Sequence, residues 1–229
     1  MDFKNVTHCI FDMDGLLLDT ETLYSMAYSR VIQEYGKKYT WEHKAKIMGL
    51  ISLEGLRTLI SMLHLPITAE TFESMLIPIY EEIFPQCNLM PGAEKLLLHL
   101  KKNNITIALA SNSTQEMGDL KTRKWKHIFN LFDHKVYGAG SDPDVPHGKP
   151  NPDIYLVAAK RFPDNPDPSK CLVFEDSPNG VQAALAAKMQ VVMVPDPQLP
   201  KDLIIEPTLV LKTLEDFKPE DFGLPSFVA

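Results

Sequence analysis

The stretch Ile10-Phe11-Asp12-Met13-Asp14-Gly15 sets two carboxylates two residues apart where an apolar run stops. Like charges this close repel unless a cation lies between them. A hard, oxygen-seeking ion such as Mg²⁺ is the natural partner, and Gly15 permits the sharp turn that must follow. An ordinary acidic turn would read the same way in isolation. The later ligand positions of a calcium EF-hand loop are absent. A second apolar run, Val173-Phe174, also leads into acids, Glu175-Asp176, and then Ser177. If the two runs are neighbouring strands, their carboxylates converge on one metal. Ser177 and Asn179 suit the cap of the helix that follows.

Two further segments fit an anionic ligand. Ala108-Leu109-Ala110 ends in Ser111-Asn112-Ser113 before another helix, and hydroxyl, amide and backbone N–H groups at a helix start suit phosphate. Helix capping alone would use the same residues. His147-Gly148-Lys149-Pro150-Asn151-Pro152-Asp153 restricts the backbone around one lysine, which can neutralise phosphate charge. No GxxxxGK[ST] segment is present, so the chain has no nucleotide P-loop.

Positioning these residues requires a sheet. Apolar runs predict strands at 7–11, 105–110, 135–137, 171–174, 190–194 and 208–211, alternating with helices at 93–102, 153–161 and 180–188. Strands apolar throughout indicate a parallel sheet covered on both faces. Residues 20–87 differ: helices are predicted at 21–34, 53–63 and 69–84, with breaks at Gly36, Gly49-Leu50 and Leu65-Pro66, and with Thr20 and Thr68 as N-caps. An all-helical block thus follows the first strand. Such an insertion stands over the C-terminal sheet edge, where open α/β folds place ligands. Pro-rich stretches at 141–152, 163–168 and 195–200 read as ordered loops.

The 229 residues carry 23 Lys and Arg against 30 Asp and Glu, a net charge of −7, and this argues against broad nucleic-acid binding. Arg123 and Trp125 in the basic run 121–126 therefore read as part of a solvated helix face. Cys9, Cys87 and Cys171 are too scattered for a disulfide framework or zinc motif and read as buried, reduced thiols. No apolar run reaches the roughly 18 residues of a membrane span, and the N-terminus lacks the marks of a signal peptide. A cytoplasmic monomer with no membrane partner is expected.

Together the four segments resemble the haloacid-dehalogenase-like hydrolase superfamily: Asp12-Met13-Asp14-Gly15 its first motif, Ser111 its second, Lys149 its third and Glu175-Asp176 its fourth. The motifs stand in the family's order, and the resemblance covers nearly the whole chain. It implies an α/β architecture, a Rossmann-like core of residues 1–17 and 88–229 with a helical cap of residues 18–87. It also implies phosphomonoester hydrolysis through an aspartyl-phosphate. By the same resemblance Asp12 attacks phosphorus and Asp14 is the general acid and base. Mg²⁺ is held by Asp12, the Asp14 carbonyl and Asp176, with Glu175 a ligand or an acceptor behind it. Ser111, Asn112 and Lys149 hold the phosphoryl oxygens. Crowding by Asp12 and desolvation under the cap are expected to raise the Asp14 pKa.

Within the superfamily the chain is similar to the pseudouridine-5′-phosphatase group, in 11–21, 89–96, 147–150, 170–195 and 222–225. A small phosphomonoester, pseudouridine 5′-monophosphate, is the implied substrate. The alternatives are a sugar or polyol phosphate, or a catalytically silent phosphate binder. Related mutases carry a cap-hinge histidine where this chain has Tyr24, which disfavours a mutase. Thr22, Tyr24 and Met48-Gly49 are candidate substrate contacts, against a reading as helix packing. Lys188 stands where the family often has glycine, so a positive φ there would cost about 1 kcal/mol.

Overall fold

A computed structural model describes residues 3–47, 52–138 and 140–227. Six strands form one sheet: β1 (His8–Phe11), β2 (Thr106–Ser111), β3 (His134–Tyr137), β4 (Cys171–Glu175), β5 (Gln190–Met193) and β6 (Leu209–Val210). All pair in parallel, in the order β3-β2-β1-β4-β5-β6. Each predicted strand is present, with ends moved by a residue or so. β1 lies at the centre, with Phe11 beside both Leu109 and Phe174. The Asp12 N–H donates to the Phe174 carbonyl at 3.0 Å, which carries the ladder one residue further.

Both sheet faces are dry, which is why the strands are apolar throughout. Cys9 and Phe11 pack on one face with Leu96, Leu97 and Leu100 of α5 (Ala93–Lys102). Ile10 packs on the other with Ile154 of α8 (Asp153–Lys160) and Val181 of α9 (Pro178–Ala186). α9 starts two residues earlier than predicted, because Ser177 accepts from the Gly180 N–H at 3.1 Å and caps the helix; Asn179 lies inside it. Past its end Lys188 has φ 62°, the left-handed geometry expected there.

After β1 the chain turns at Gly15 (φ 79°) and enters four helices: α1 (Thr20–Glu34), α2 (Trp41–Ile47), α3 (Ser52–Leu63) and α4 (Ala69–Ile83). The apolar faces of α1, α3 and α4 share a core of their own, built on Val31, Leu59, Phe72 and Leu76, with Ile47 of α2 at its edge. This is the inserted helical cap. Two details differ from expectation. Asp19, not Thr20, caps α1, accepting from the Thr22 N–H at 3.3 Å. α2 was not expected: it buries no residue and so carries no apolar stripe to read. Thr68 caps α4 as expected. The Gly49-Leu50 break lies outside the described residues. The two linkers pair where they meet: the Asp19 N–H donates to the Asn88 carbonyl and the Met90 N–H to the Leu17 carbonyl.

Two short helices, α6 (Gln115–Lys121) and α7 (Lys126–Phe129), follow β2. Met117 and Leu120 of α6 pack against the cap core. Cys9, Cys87 and Cys171 are buried free thiols. No helix among the described residues is long and apolar enough to cross a membrane.

Candidate active site

Three strand ends and one loop bring the four sequence segments together. Asp12 follows β1, Ser111 closes β2, Glu175 closes β4, and Lys149 reaches in from the loop before α8. The Lys149 ammonium spends its three donors on Asp12 Oδ1 at 2.5 Å, Glu175 Oε1 at 2.7 Å and the Ala110 carbonyl at 2.9 Å. Burial disfavours its charge, but Asp12 and Glu175 outweigh that and hold it protonated above the ordinary lysine range.

Glu175 is wholly buried and both its oxygens are used. Oε1 also accepts from the Tyr155 hydroxyl at 2.6 Å, and Oε2 accepts from the N–H groups of Asp176 and Ser177 at 3.0 and 3.1 Å. Gly180 of α9 packs so tightly here that a Cβ would overlap the Glu175 carboxylate. Both Glu175 oxygens are thus occupied, one of them by the Lys149 ammonium.

Asp12, Glu175 and Asp176 each offer a carboxylate oxygen, all within 4.8 Å of one another. Lys149 pairs with Asp12 and Glu175, so with all three carboxyls ionised a single ammonium would leave two negative charges uncompensated. Burial, then Glu175 and Asp12, hold the Asp176 carboxyl well above the usual range. Burial also pushes Asp12 up to about 7, with Lys149 opposing and Glu175 and Asp14 adding. A buried set of hard oxygen donors with this imbalance fits a divalent cation.

Asp14 departs from expectation. Burial pushes its pKa up, but Lys121 outweighs burial and holds the carboxyl below its ordinary value. The Lys121 ammonium lies 2.6 Å from Asp14 Oδ1 and its side chain is fully buried. Ser113 and Ser111 donate to Asp14 Oδ2 at 2.9 and 3.3 Å. Lys121 was read as part of a solvated face and is the opposite. The missed signal is its spacing from Gly118, which puts both on the buried side of α6. Other members of that run go to the linker: Trp125 Nε1 donates to the Cys87 carbonyl and Lys124 to Asn88 Oδ1, each at 2.8 Å. Tyr155 was also unforeseen, as was the pairing of Ser113 with Asp14.

The Asn112 side-chain amide brackets the Lys149 backbone, Oδ1 accepting from the Lys149 N–H at 3.0 Å and Nδ2 donating to the carbonyl at 3.4 Å. A cleft of about 890 Å³ opens between cap and core beside Asp176, lined among others by Gly15, Thr22, Trp41, Lys44 and Gln198. Thr22 thus lies on the cleft. Tyr24 is not among its lining residues; its ring packs edge-on against Tyr80 and Phe84. Met48-Gly49 lies outside the described residues.

Comparison with known proteins identifies the family and the fold. A family-wide profile described as haloacid dehalogenase-like hydrolase matches residues 6–188. A Drosophila melanogaster protein named a probable pseudouridine-5′-phosphatase is 50% identical over 98% of this chain and 96% of its own. The mitochondrial (DL)-glycerol-3-phosphatase 1 of Arabidopsis thaliana is 46% identical over 97% of this chain and 75% of its own. Among solved structures, a HAD family hydrolase from Deinococcus radiodurans with bound phosphate and sodium superposes with a TM-score of 0.77, 23% identity, and 97% and 99% coverage of the two chains. That last likeness concerns the fold.

Proposed function

The chain belongs to the haloacid dehalogenase-like hydrolases and is a phosphomonoester hydrolase, and from this premise we propose that it cleaves pseudouridine 5′-phosphate through an aspartyl-phosphate on Asp12. The observation that carries the reading is the convergence of Asp12, Lys149 and Asp176 at the sheet edge beside the cleft. Residues 18–87 act as the cap, and 1–17 with 88–229 as the core. The pairing of the two linkers at Leu17–Asp19 and Asn88–Met90 supports that division.

Asp12, Asp176 and the Asp14 carbonyl would hold Mg²⁺. When bound, the ion neutralises the carboxylate cluster and draws charge from the phosphoryl oxygens. The Asp12 carboxylate attacks phosphorus as the ester P–O bond breaks, and Lys149 offsets charge on the equatorial oxygens. Asp14 gives a proton to the departing oxygen. It then takes one from the water that attacks the aspartyl-phosphate, releasing phosphate and restoring Asp12. Lys121 favours ionised Asp14, the form the second step needs, and disfavours the protonated form that the first step needs.

A panel of phosphate esters tests the reading. We expect kcat/KM for pseudouridine 5′-phosphate to exceed that for glycerol 3-phosphate and sugar phosphates. The glycerol-3-phosphatase relative makes a polyol phosphate the second reading, and a reversed order on the panel would establish it. Asp12→Asn should lose at least about three orders of magnitude in kcat. A purified variant turning over at a near-normal rate would refute the nucleophile. We further read the enzyme as a monomer acting on small molecules, and as cytoplasmic, which its buried free thiols support.

A further inference from the structure

Lys121 lies beyond the four sequence motifs, yet its surroundings are built for one purpose. Its side chain is entirely buried on α6, and its ammonium meets Asp14 Oδ1 at 2.6 Å and Ser113 Oγ at 2.9 Å. Ser113 in turn donates to Asp14 Oδ2 at 2.9 Å, closing a ring of three side chains around one carboxylate. The far side of the ammonium is walled by aromatic faces from the inserted segment. Tyr24 of α1 stands 5.0 Å and Phe84, just past α4, 5.3 Å from ring centroid to Nζ. A buried cation is costly unless paired, and here both a carboxylate and two π faces satisfy it.

The ammonium is shut off from solvent, and Lys121 does not line the cleft. Any effect it has on substrate must therefore pass through the groups it holds, Asp14 and Ser113. Asp14 keeps about a fifth of its side chain exposed, whereas the Lys121 side chain is wholly buried. A carboxylate that must meet a leaving oxygen and then a water gains from being held in one place. We propose that Lys121 is a positioning residue for Asp14, fixing that carboxylate for proton transfer in a seat completed by cap aromatics. The inference deepens the phosphatase reading above and rests on it. The cap then does more than cover the cleft, because two of its rings complete the seat of the group that handles the proton.

The alternative is that Lys121 only anchors α6 beneath the cap. A four-protein cycle separates the two: wild type, Lys121→Met, Asp14→Asn, and the double variant. Each is assayed for phosphate release from pseudouridine 5′-phosphate and glycerol 3-phosphate, with melting temperature as a check on folding. If Lys121 acts through Asp14, Lys121→Met lowers wild-type kcat by about tenfold or more, but lowers Asp14→Asn by less than about twofold. An equal fractional loss in both backgrounds, or no loss in either, overturns the proposal. Should Lys121→Met fail to fold, Lys121→Gln keeps an N–H donor of similar reach and carries the same cycle under the same criterion. Absence of turnover by the wild type overturns the phosphatase reading and this proposal with it. Turnover by the wild type with a failed cycle overturns the positioning role alone.

Discussion

Burial, Glu175 and Asp12 together hold the Asp176 carboxyl well above its ordinary range, a state that has a direction in stability. An acid whose folded pKa is raised binds its proton more tightly folded than unfolded. The folded state therefore loses stability as pH rises above the unfolded value of about 3.9 toward the folded one. In a metal-free buffer at neutral pH, Asp176→Asn should thus unfold at a higher urea concentration than wild type. Added Mg²⁺ should raise the wild-type midpoint and leave that of the variant nearly unchanged, while activity is lost. A variant no more stable than wild type in chelator would contradict the charge imbalance. At this scale the acids were legible because two separate apolar runs in one chain both end in paired carboxylates. Lys121 was not, because a lysine letter carries no mark of burial.

Among the elements, strands were legible to within a residue or so, since a strand covered on both faces must be apolar along its whole length. Helices with an apolar stripe, such as α5, were equally plain, whereas α2 buries no side chain and left no trace. The end of α9 joins sequence to energy. Lys188 has φ 62°, where a Cβ crowds the backbone and glycine does not. Lys188→Gly should raise stability by about 1 kcal/mol and leave kcat unchanged, read from urea unfolding and steady-state rates. A loss of stability would mean that the lysine side chain itself contributes more than the backbone strain costs. Close helix–strand approach also could not be read ahead: Gly180 matters because α9 rests on Glu175, a contact between residues from different elements.

Across the whole molecule, cap and core have separate apolar cores and meet over the cleft. Lys44 of α2 joins the two sides, 2.9 Å from Glu21 on α1 and 3.5 Å from Asp196 in the loop after β5. Removing it leaves those two carboxylates facing each other without a cation. Lys44→Met should raise KM for pseudouridine 5′-phosphate by about threefold or more, with the gap narrowing at high ionic strength. An unchanged KM at low salt would show that the bridge does not bear on closure. The amino-acid sequence alone determined the parallel α/β class, the helical insertion, and the acids, serine and lysine to which the proposed chemistry is assigned. These follow from local rules, because periodicity records which side chains are buried and strand ends record where charge is tolerated. Only the tertiary structure decided that Lys121 grips Asp14, that Asn112 serves the Lys149 backbone, and that Tyr155 finishes the seat of Glu175. Each is a pairing of polar groups distant along the chain, and a buried charge selects its partner by proximity in space, which no spacing of residues encodes.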